Sequence, residues 1–549
     1  MRFPFSTRIQ TVGAAAILSL VAAFVLIMVD DGTWLHPDTA QALSVARNLQ
    51  QGNGFSTSVV YYEEHYQFDT APAPQTVFPI GYPAMIAAIG AFGVPLRTAA
   101  YSIGVIGFVL VPPLICLAAL RMGRKPITSF MVAAFWLCSP MLWHNVWERQ
   151  TEMMFITLTL SSLILLQNSM LTTRRLLLSG LLAAIAFSLR YAGVFWLTSI
   201  GGVLLIQLVA NGRLAVGPVF RQAVSFFTIP IVVAISLFAR NAALVGDFKG
   251  GNNKEVHRTL LEASMNAWYG ISRILGLDKS GLVAGNTVER VAVAGLAILV
   301  IAGLLCLLRI RKSEVRTTLL PTSFANTAMY LYIGVSVAAL IGLEMRTSIN
   351  LSPRMFFPVI PFALLAMSDV LSRMQLVLST ASAWPRRTLI AGVILLTIGV
   401  LSGQFRVAAE VQSYVHRFGM VNDILDQKVE PSADSKTARE LLLGSTILSD
   451  ESHMLAEALQ QGTFGLTSTT YTSRIWTDDE VVRLIRKYHI NRVVVFPDVQ
   501  PKDANPFFES LTPLGHHAAT SHLWLEPLVI LPRIQIYAVP DSVLLTRQN

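Results

Sequence analysis

The feature that most constrains this chain is a succession of apolar segments. Each is close to the roughly 20 residues that a helix needs to cross about 30 Å of hydrocarbon. They fall at 11–29, 98–120, 126–144, 152–168, 176–189, 192–210, 219–239, 289–308, 323–343, 355–372 and 388–403. Inside a bilayer each backbone N–H and C=O must find a partner within its own segment, so such runs have to be helices. The stretch 176–210 is too long for one span and reads as two short ones turning at Arg190–Gly193. Residues 11–29, with Arg2 and Arg8 before them, also resemble a signal peptide, but ten further spans favour a retained anchor.

Charge is scarce and unevenly spread. Charged residues make up 14% of the chain and hydrophobic ones 53%, whereas soluble domains carry about 25% charged residues. A disordered chain, a coiled coil and a single soluble enzyme are excluded. Residues 404–549 hold 13 basic and 17 acidic residues, so the net charge of +9 arises wholly in the first 403. The chain therefore divides into a membrane portion, 1–403, and a hydrophilic C-terminal domain, 404–549. That domain reads as α/β, with strand-like runs at Thr446–Ser449, Arg492–Pro497 and 523–538 and a helix at 478–489 opened by Thr477 and Glu480. Cys116, Cys138 and Cys306 all lie in apolar runs and support neither a disulfide framework nor a cysteine metal site. The positive charge sits in short loops between spans, which is an orientation signal and not a nucleic-acid surface.

One apolar stretch, 79–95, decides the topology. If it lies in the interface, one side of the membrane receives sixteen basic residues against two acids, Glu314 and Asp369. If it crosses, the basic loops 121–125, 174–175 and 309–316 fall on the other side. The positive-inside rule selects the first arrangement: about eleven spans, N-terminus cytoplasmic, C-terminal domain outside, as in a bacterial inner-membrane protein with a periplasmic domain. The acids of the membrane portion then gather in outer loops at 30–78, 145–152, 240–289 and 344–354. A transporter or flippase of lipid-linked sugars, the alternative reading, would place ionisable groups near the midplane.

Loop 30–78 carries the most information. Asp38 can cap an interfacial helix over 39–50 whose apolar residues Ala40, Leu43, Ala46 and Leu49 recur at helical spacing. A carboxylate at the boundary between lipid and water can also take a proton from an acceptor hydroxyl. On the residues alone, cap and catalyst are equally good readings.

The run PDTAQALSVARNLQQGNGF, followed by FPIGYPAMIAAIGAFGV, resembles the first periplasmic loop of GT-C glycosyltransferases. These are polytopic enzymes using polyprenyl-phosphate sugars, such as protein O-mannosyltransferases and lipid A aminoarabinose transferases. Asp38 keeps the family's nine-residue spacing to the Arg of Ala46-Arg47, and Pro79–Pro83 match the opening of a second interfacial helix. Weaker matches follow in order: Thr151–Phe155, Leu189–Gly193, Arg240-Asn241 with Gly246-Asp247, and Arg354–Pro358. Gln41 and Phe78 stand where the aminoarabinose transferase type has cations.

The resemblance implies an inverting transferase that moves a sugar from a polyprenyl-phosphate donor to a lipid, glycan or protein acceptor at the outer face. It implies Asp38 as general base, Arg190, Arg354, Arg240 and Arg346 as candidate ligands of the donor phosphate, and Tyr82, Glu152 and Tyr191 as pocket residues. Arginine forks suit phosphate oxygens. The bland alternative is that these arginines reach for lipid headgroups or pair with Glu152 and Glu344. No cofactor is implied, although Glu63, Glu64, His65 and Asp69 could hold a divalent metal. Residues 255–276 read as an amphipathic helix beside the site.

Overall fold

The computed structural model describes residues 5–168, 170–211, 216–251, 255–276, 323–348, 351–379, 383–412, 416–426, 437–467, 476–497, 506–511 and 524–545. Most of the chain is a bundle of apolar helices. Among the described residues, six helices are long and apolar enough to cross a membrane: Ser6–Val29, Leu96–Arg121, Gly193–Ala210, Val216–Val245, Phe324–Arg346 and Ile390–Ala409. A seventh span results if Pro126–Leu137 and Pro140–Trp147, bent by 56° at Ser139, count as one. The helices Glu152–Leu166, Thr173–Leu189 and Ile360–Ser379 cover three further expected spans. The first two have 15 and 17 residues, short for a crossing. The expected span 289–308 lies outside the described residues.

Polar contacts sort the helix ends into two groups. At one end, Asp369 is fully buried, accepting from Arg124 at 2.7 Å, Arg373 at 2.8 Å and the Tyr330 hydroxyl at 2.9 Å. Arg121 donates to Ile164 O and Arg221 to the Thr173 hydroxyl nearby in the sequence of loops. At the other end, Arg149 reaches Asp30, Arg190 reaches Thr151, and Asn241 reaches Tyr191. Each group joins loops that charge counting had assigned to a single side.

The stretch 79–95 folds as the ten-residue helix Gly81–Gly90, about 15 Å long and too short to span. It lies against the ends of other helices, not among their middles. Gly81 touches Ser188, the residue before the end of Thr173–Leu189, so closely that a Cβ there would sit 2.5 Å from the Ser188 carbonyl oxygen. The bundle's interior is aromatic where helices meet: Trp196, Tyr332 and Phe362 pack with ring centroids 4.6–5.6 Å apart.

Among the described residues, five C-terminal strands and one from the first loop form a sheet in the order Val59–Val60, Thr463–Phe464, Ile447–Ser449, Arg492–Val495, Gln535–Ala538, Glu526–Ile530. The first four strands are parallel and the last two antiparallel additions. Its edge strand Val59–Val60 comes from the first loop of the membrane portion, over 380 residues away in the chain. The helix Asp478–Tyr488 starts with the expected Thr477–Glu480 capping box. The helix Ala383–Gln412 runs through residue 403 without a break.

Candidate active site

The loop helix Pro37–Gln50 sets the geometry of the site. His36 precedes it in extended backbone, and Pro37 occupies the first helical position, where a missing N–H is no loss. The cap is His36 and not Asp38: the His36 Nδ1 accepts the Asp38 N–H at 3.1 Å. Relieved of capping, Asp38 in the second helical position turns its carboxylate outward, and Oδ2 accepts from Arg354 Nη2 at 2.7 Å.

The nine-residue spacing now has a physical meaning. Nine residues at 3.6 per turn end on the opposite face of a helix. Asp38 faces Arg354, while Arg47 faces the C-terminal domain, donating to Glu457 at 2.9 Å and Gln460 at 2.6 Å. Between them Ala40, Leu43 and Ala46 are buried. The expected helix exists, one turn fraction longer than 39–50, and Gly52 follows its C-cap with φ +83°.

Arg354 lies in the 3-10 turn Pro353–Phe356, just before the helix Ile360–Ser379. Its Nη1 sits 3.1 Å from His36 Nε2. A neutral imidazole has one acceptor nitrogen, so Arg354 and the Asp38 N–H compete for it. Burial, reinforced by the Arg354 charge, takes His36 down to about 3 and keeps it neutral. Burial alone would raise the Asp38 carboxyl, but the Arg354 charge, His36 and Arg190 outweigh it and hold Asp38 well below the ordinary carboxylate range. Arg354 is raised further by Asp38 and Glu152 against the opposing effect of burial. The Asp38 side chain keeps 32% of its surface open to solvent, so the pair is not sealed in the core.

Arg190 ends the helix Thr173–Leu189 in extended backbone. Its Nη1 donates to Glu152 Oε1 and, at 3.1 Å, to the Thr151 hydroxyl. Glu152 is fully buried, and its Oε2 has no hydrogen-bond partner among the described residues. The Tyr82 hydroxyl donates to Arg149 O, and the Tyr82 phenol is pushed up by burial and by the neighbouring Glu152. Asp38, Arg354, Arg190, Glu152 and Tyr82 thus occupy one end of the bundle within electrostatic reach of one another.

Three expected site residues lie apart. Arg240 clamps the first loop, donating to Gln75 O at 2.7 Å and Phe55 O at 3.0 Å. Tyr191 accepts from Asn241 at 3.2 Å and stacks on Phe238. Arg346 is exposed at the end of Phe324–Arg346. The fully buried Glu344 beside it pairs with Arg258 at 2.7 Å and Asn266 at 2.7 Å, holding the amphipathic helix Leu260–Ile274 on the bundle. Gln41 is buried and donates to the Thr57 hydroxyl at 2.9 Å, and Phe78 packs against Tyr62.

Sequence reasoning missed four residues that lie near Asp38 or are felt by its neighbour His36. His36 is the first. Glu148 is the second: its carbonyl accepts the Thr39 hydroxyl at 3.0 Å, and burial pushes its carboxyl up to about 8, with Asp38 and Glu152 adding to the rise and Arg354 opposing it. Its place among outer-loop acids was visible, but not its approach to Asp38. The others, Arg417 and His453, come from beyond residue 403, and no local signal could have linked them to residue 38. Arg417 pairs with the buried Glu451, and its charge is felt by His36.

Of the candidate metal ligands, His65 is buried with Nε2 3.3 Å from Gln75 Oε1, while Asp69 is exposed and pairs with Lys487 at 3.0 Å. Among the described residues no three His, Cys, Asp or Glu side chains are grouped to hold a metal ion.

No protein-family model matches the sequence, and no curated protein matches it. Solved structures do match. ArnT from Cupriavidus metallidurans bound to undecaprenyl phosphate aligns with a TM-score of 0.56 at 13% identity, covering 97% of this chain and 99% of that one. The oligosaccharyltransferase AglB from Archaeoglobus fulgidus, in complex with an inhibitory peptide and a dolichol-phosphate, aligns at 0.51 and 13%, covering 92% and 73%. Arabinofuranosyltransferase AftD from Mycobacteria aligns at 0.50 and 15%, covering 97% and 41%. This chain has the fold of these polytopic GT-C glycosyltransferases.

Proposed function

We propose that the protein is a membrane glycosyltransferase that moves a sugar from a polyprenyl-phosphate donor to a hydroxyl acceptor. The observation that carries this reading is the Asp38–Arg354 pair, a carboxylate and an arginine fork side by side and partly open to solvent at the end of the bundle. Flanked by Arg190 and by buried carboxylates, it combines the two groups that such a transfer requires. The GT-C fold, seen in ArnT with undecaprenyl phosphate and in AglB with a dolichol-phosphate, supports a lipid-linked donor.

In this mechanism the donor phosphate binds beside Arg354 and Arg190. An anion there shares the Arg354 charge, loosens its hold on Asp38 and raises the carboxylate's basicity where a base is needed. Asp38 accepts the proton of the acceptor hydroxyl as its oxygen forms a bond to the anomeric carbon. The bond from that carbon to the phosphate oxygen breaks with inversion, and the polyprenyl phosphate leaves carrying the electron pair. The arginines stabilise the departing charge. The helix Leu260–Ile274, with Leu260, Leu261 and Met265 exposed, lies on the membrane and borders the acceptor path.

The site end is the outer face, which in a bacterium is the periplasmic side of the inner membrane. The C-terminal residues 404–549 form a domain that covers this face. The test is direct: mass analysis of lipids co-purified with the protein from its native membrane yields a polyprenyl-phosphate sugar, whose mass names the donor. Absence of any such lipid, together with normal envelope glycans in an Asp38→Asn strain, overturns the proposal.

A further inference from the structure

One cation at the end of the bundle that carries Asp38 is held in place without being neutralised. Arg240 is half-buried near the end of the helix Val216–Val245. Its Nη1 donates to Gln75 O at 2.7 Å and its Nη2 to Phe55 O at 3.0 Å. Those carbonyls flank the paired strands Ser56–Thr57 and Ala73–Pro74 of the first loop, so the guanidinium clips the base of this hairpin to the helix. The two bonds occupy two of its five N–H donors and remove none of its charge. Among the described residues no carboxylate pairs with Arg240.

Beside the guanidinium opens a cavity of about 380 Å³. Asn53, Ser56 and Pro74 line it from the first loop, and Arg240, Ala243 and Leu244 from the helix. The helix itself faces lipid, for only 22% of its most apolar window is buried. Val232, Ser236, Ala239 and Ala243 are exposed and recur at the spacing of one helix face, so a continuous strip leads from the cavity toward the middle of the span. The Ser236 hydroxyl donates to Val232 O at 2.8 Å, which keeps that strip apolar. A fixed cation above a hydrocarbon-facing strip is complementary to an amphiphile with an anionic head. A half-buried charge without a counter-ion is costly, and a headgroup phosphate offsets that cost through charge-assisted hydrogen bonds.

We propose that this cavity binds an anionic phospholipid of the surrounding leaflet, with its phosphate on Arg240 and an acyl chain along the exposed strip of the helix. The site is separate from the Asp38–Arg354 pair and does not depend on the transferase reading. Its task is structural. The lipid bridges the helix and the hairpin, and so pins the loop that also carries Asp38 and the sheet-edge strand Val59–Val60.

The full chain, purified in non-ionic detergent, is titrated with dioleoylphosphatidylglycerol, dioleoylphosphatidylcholine, undecaprenyl phosphate and inorganic phosphate, and bound molecules are counted by native mass spectrometry. The wild type should prefer phosphatidylglycerol to phosphatidylcholine, and phosphatidylglycerol should slow its proteolysis near residues 53–76. Arg240→Ala should weaken phosphatidylglycerol binding about ten- to hundredfold, the loss of a charged hydrogen-bonding group. Because that variant also frees the loop, Ala243→Trp provides the control. It fills the cavity from an exposed position, keeps the Arg240 bonds, and should lose phosphatidylglycerol while binding undecaprenyl phosphate as the wild type does. Unchanged phosphatidylglycerol affinity in both variants overturns the site. Equal affinity for phosphatidylcholine, or displacement by inorganic phosphate, overturns the anionic lipid as its occupant. Parallel loss of undecaprenyl phosphate in Ala243→Trp gives the cavity to the polyprenyl lipid and refutes the proposal too.

Discussion

Replacing Arg354 with alanine tests the electrostatics of the site most sharply, because it removes the charge that opposes burial at Asp38. The two side chains share a hydrogen bond of 2.7 Å. A bond to a charged group is worth about 1.5–3 kcal/mol, and 1.36 kcal/mol corresponds to one pKa unit. The Asp38 carboxyl should therefore rise from its depressed value, driven by the burial that Arg354 no longer opposes. In the wild-type protein Asp38 stays ionised across the working range, and kcat/KM should show no acid limb from it. In Arg354→Ala a limb should appear, with the rate falling as pH drops toward the new value. Donor affinity should fall about ten- to hundredfold, by the same 1.5–3 kcal/mol. Stability depends on the same group. A depressed carboxyl contributes stability above its unfolded value of about 3.9 and loses it as pH falls through the folded value; the variant lacks that contribution, so it should be less stable than the wild type at neutral pH and should lose less stability on acidification. Arg354→Lys, which keeps the charge and loses the fork, should lie between the two. The assay is kcat/KM from pH 4 to 8, with thermal unfolding across the same range. An Arg354→Ala profile superimposable on the wild type would refute the reasoning.

Asp38→Asn should fold normally, since His36 and not Asp38 caps the helix, and should transfer sugar about 10²–10⁴-fold more slowly; equal loss in Asp30→Asn would point to the wrong carboxylate. Arg240→Ala should leave donor affinity intact while loosening the first loop, because its partners are the carbonyls of Phe55 and Gln75; limited proteolysis near residues 53–76 would report it. Asp369→Ala, which strands Arg124 and Arg373 in a buried setting, should destabilise the protein by about 3–5 kcal/mol, read as lowered melting temperature in detergent. Cysteines at Asp69 and Phe92 should label from the same side of the membrane and a cysteine at Arg175 from the other, and labelling of Asp69 and Phe92 from opposite sides would mean that 79–95 crosses.

The apolar runs, their charged connections and the lone apolar stretch 79–95 were enough to read a polytopic helical bundle, because in hydrocarbon backbone satisfaction allows nothing else. The turn at Arg190–Gly193, the amphipathic helix within 255–276, the helix opened by Thr477, and the strands at 447–449 and 492–495 were equally legible, since each depends on neighbours within a few residues. Asp38 was legible as a candidate but not its role, for a carboxylate before a helix reads as a cap until the tertiary structure shows His36 in that place. What only the fold decided was partnership across hundreds of residues. The sequence offered four arginines at span ends; packing gave Arg354 to Asp38, Arg190 to Glu152, and Arg240 to backbone carbonyls, and left Arg346 exposed. Likewise, no local pattern could announce that Val59–Val60 would complete a sheet begun at residue 447, or that Arg47 would pair with Glu457. Helix periodicity and charge bias act over short stretches of chain, whereas an ion pair or a sheet edge depends on which surfaces meet once the whole chain has packed.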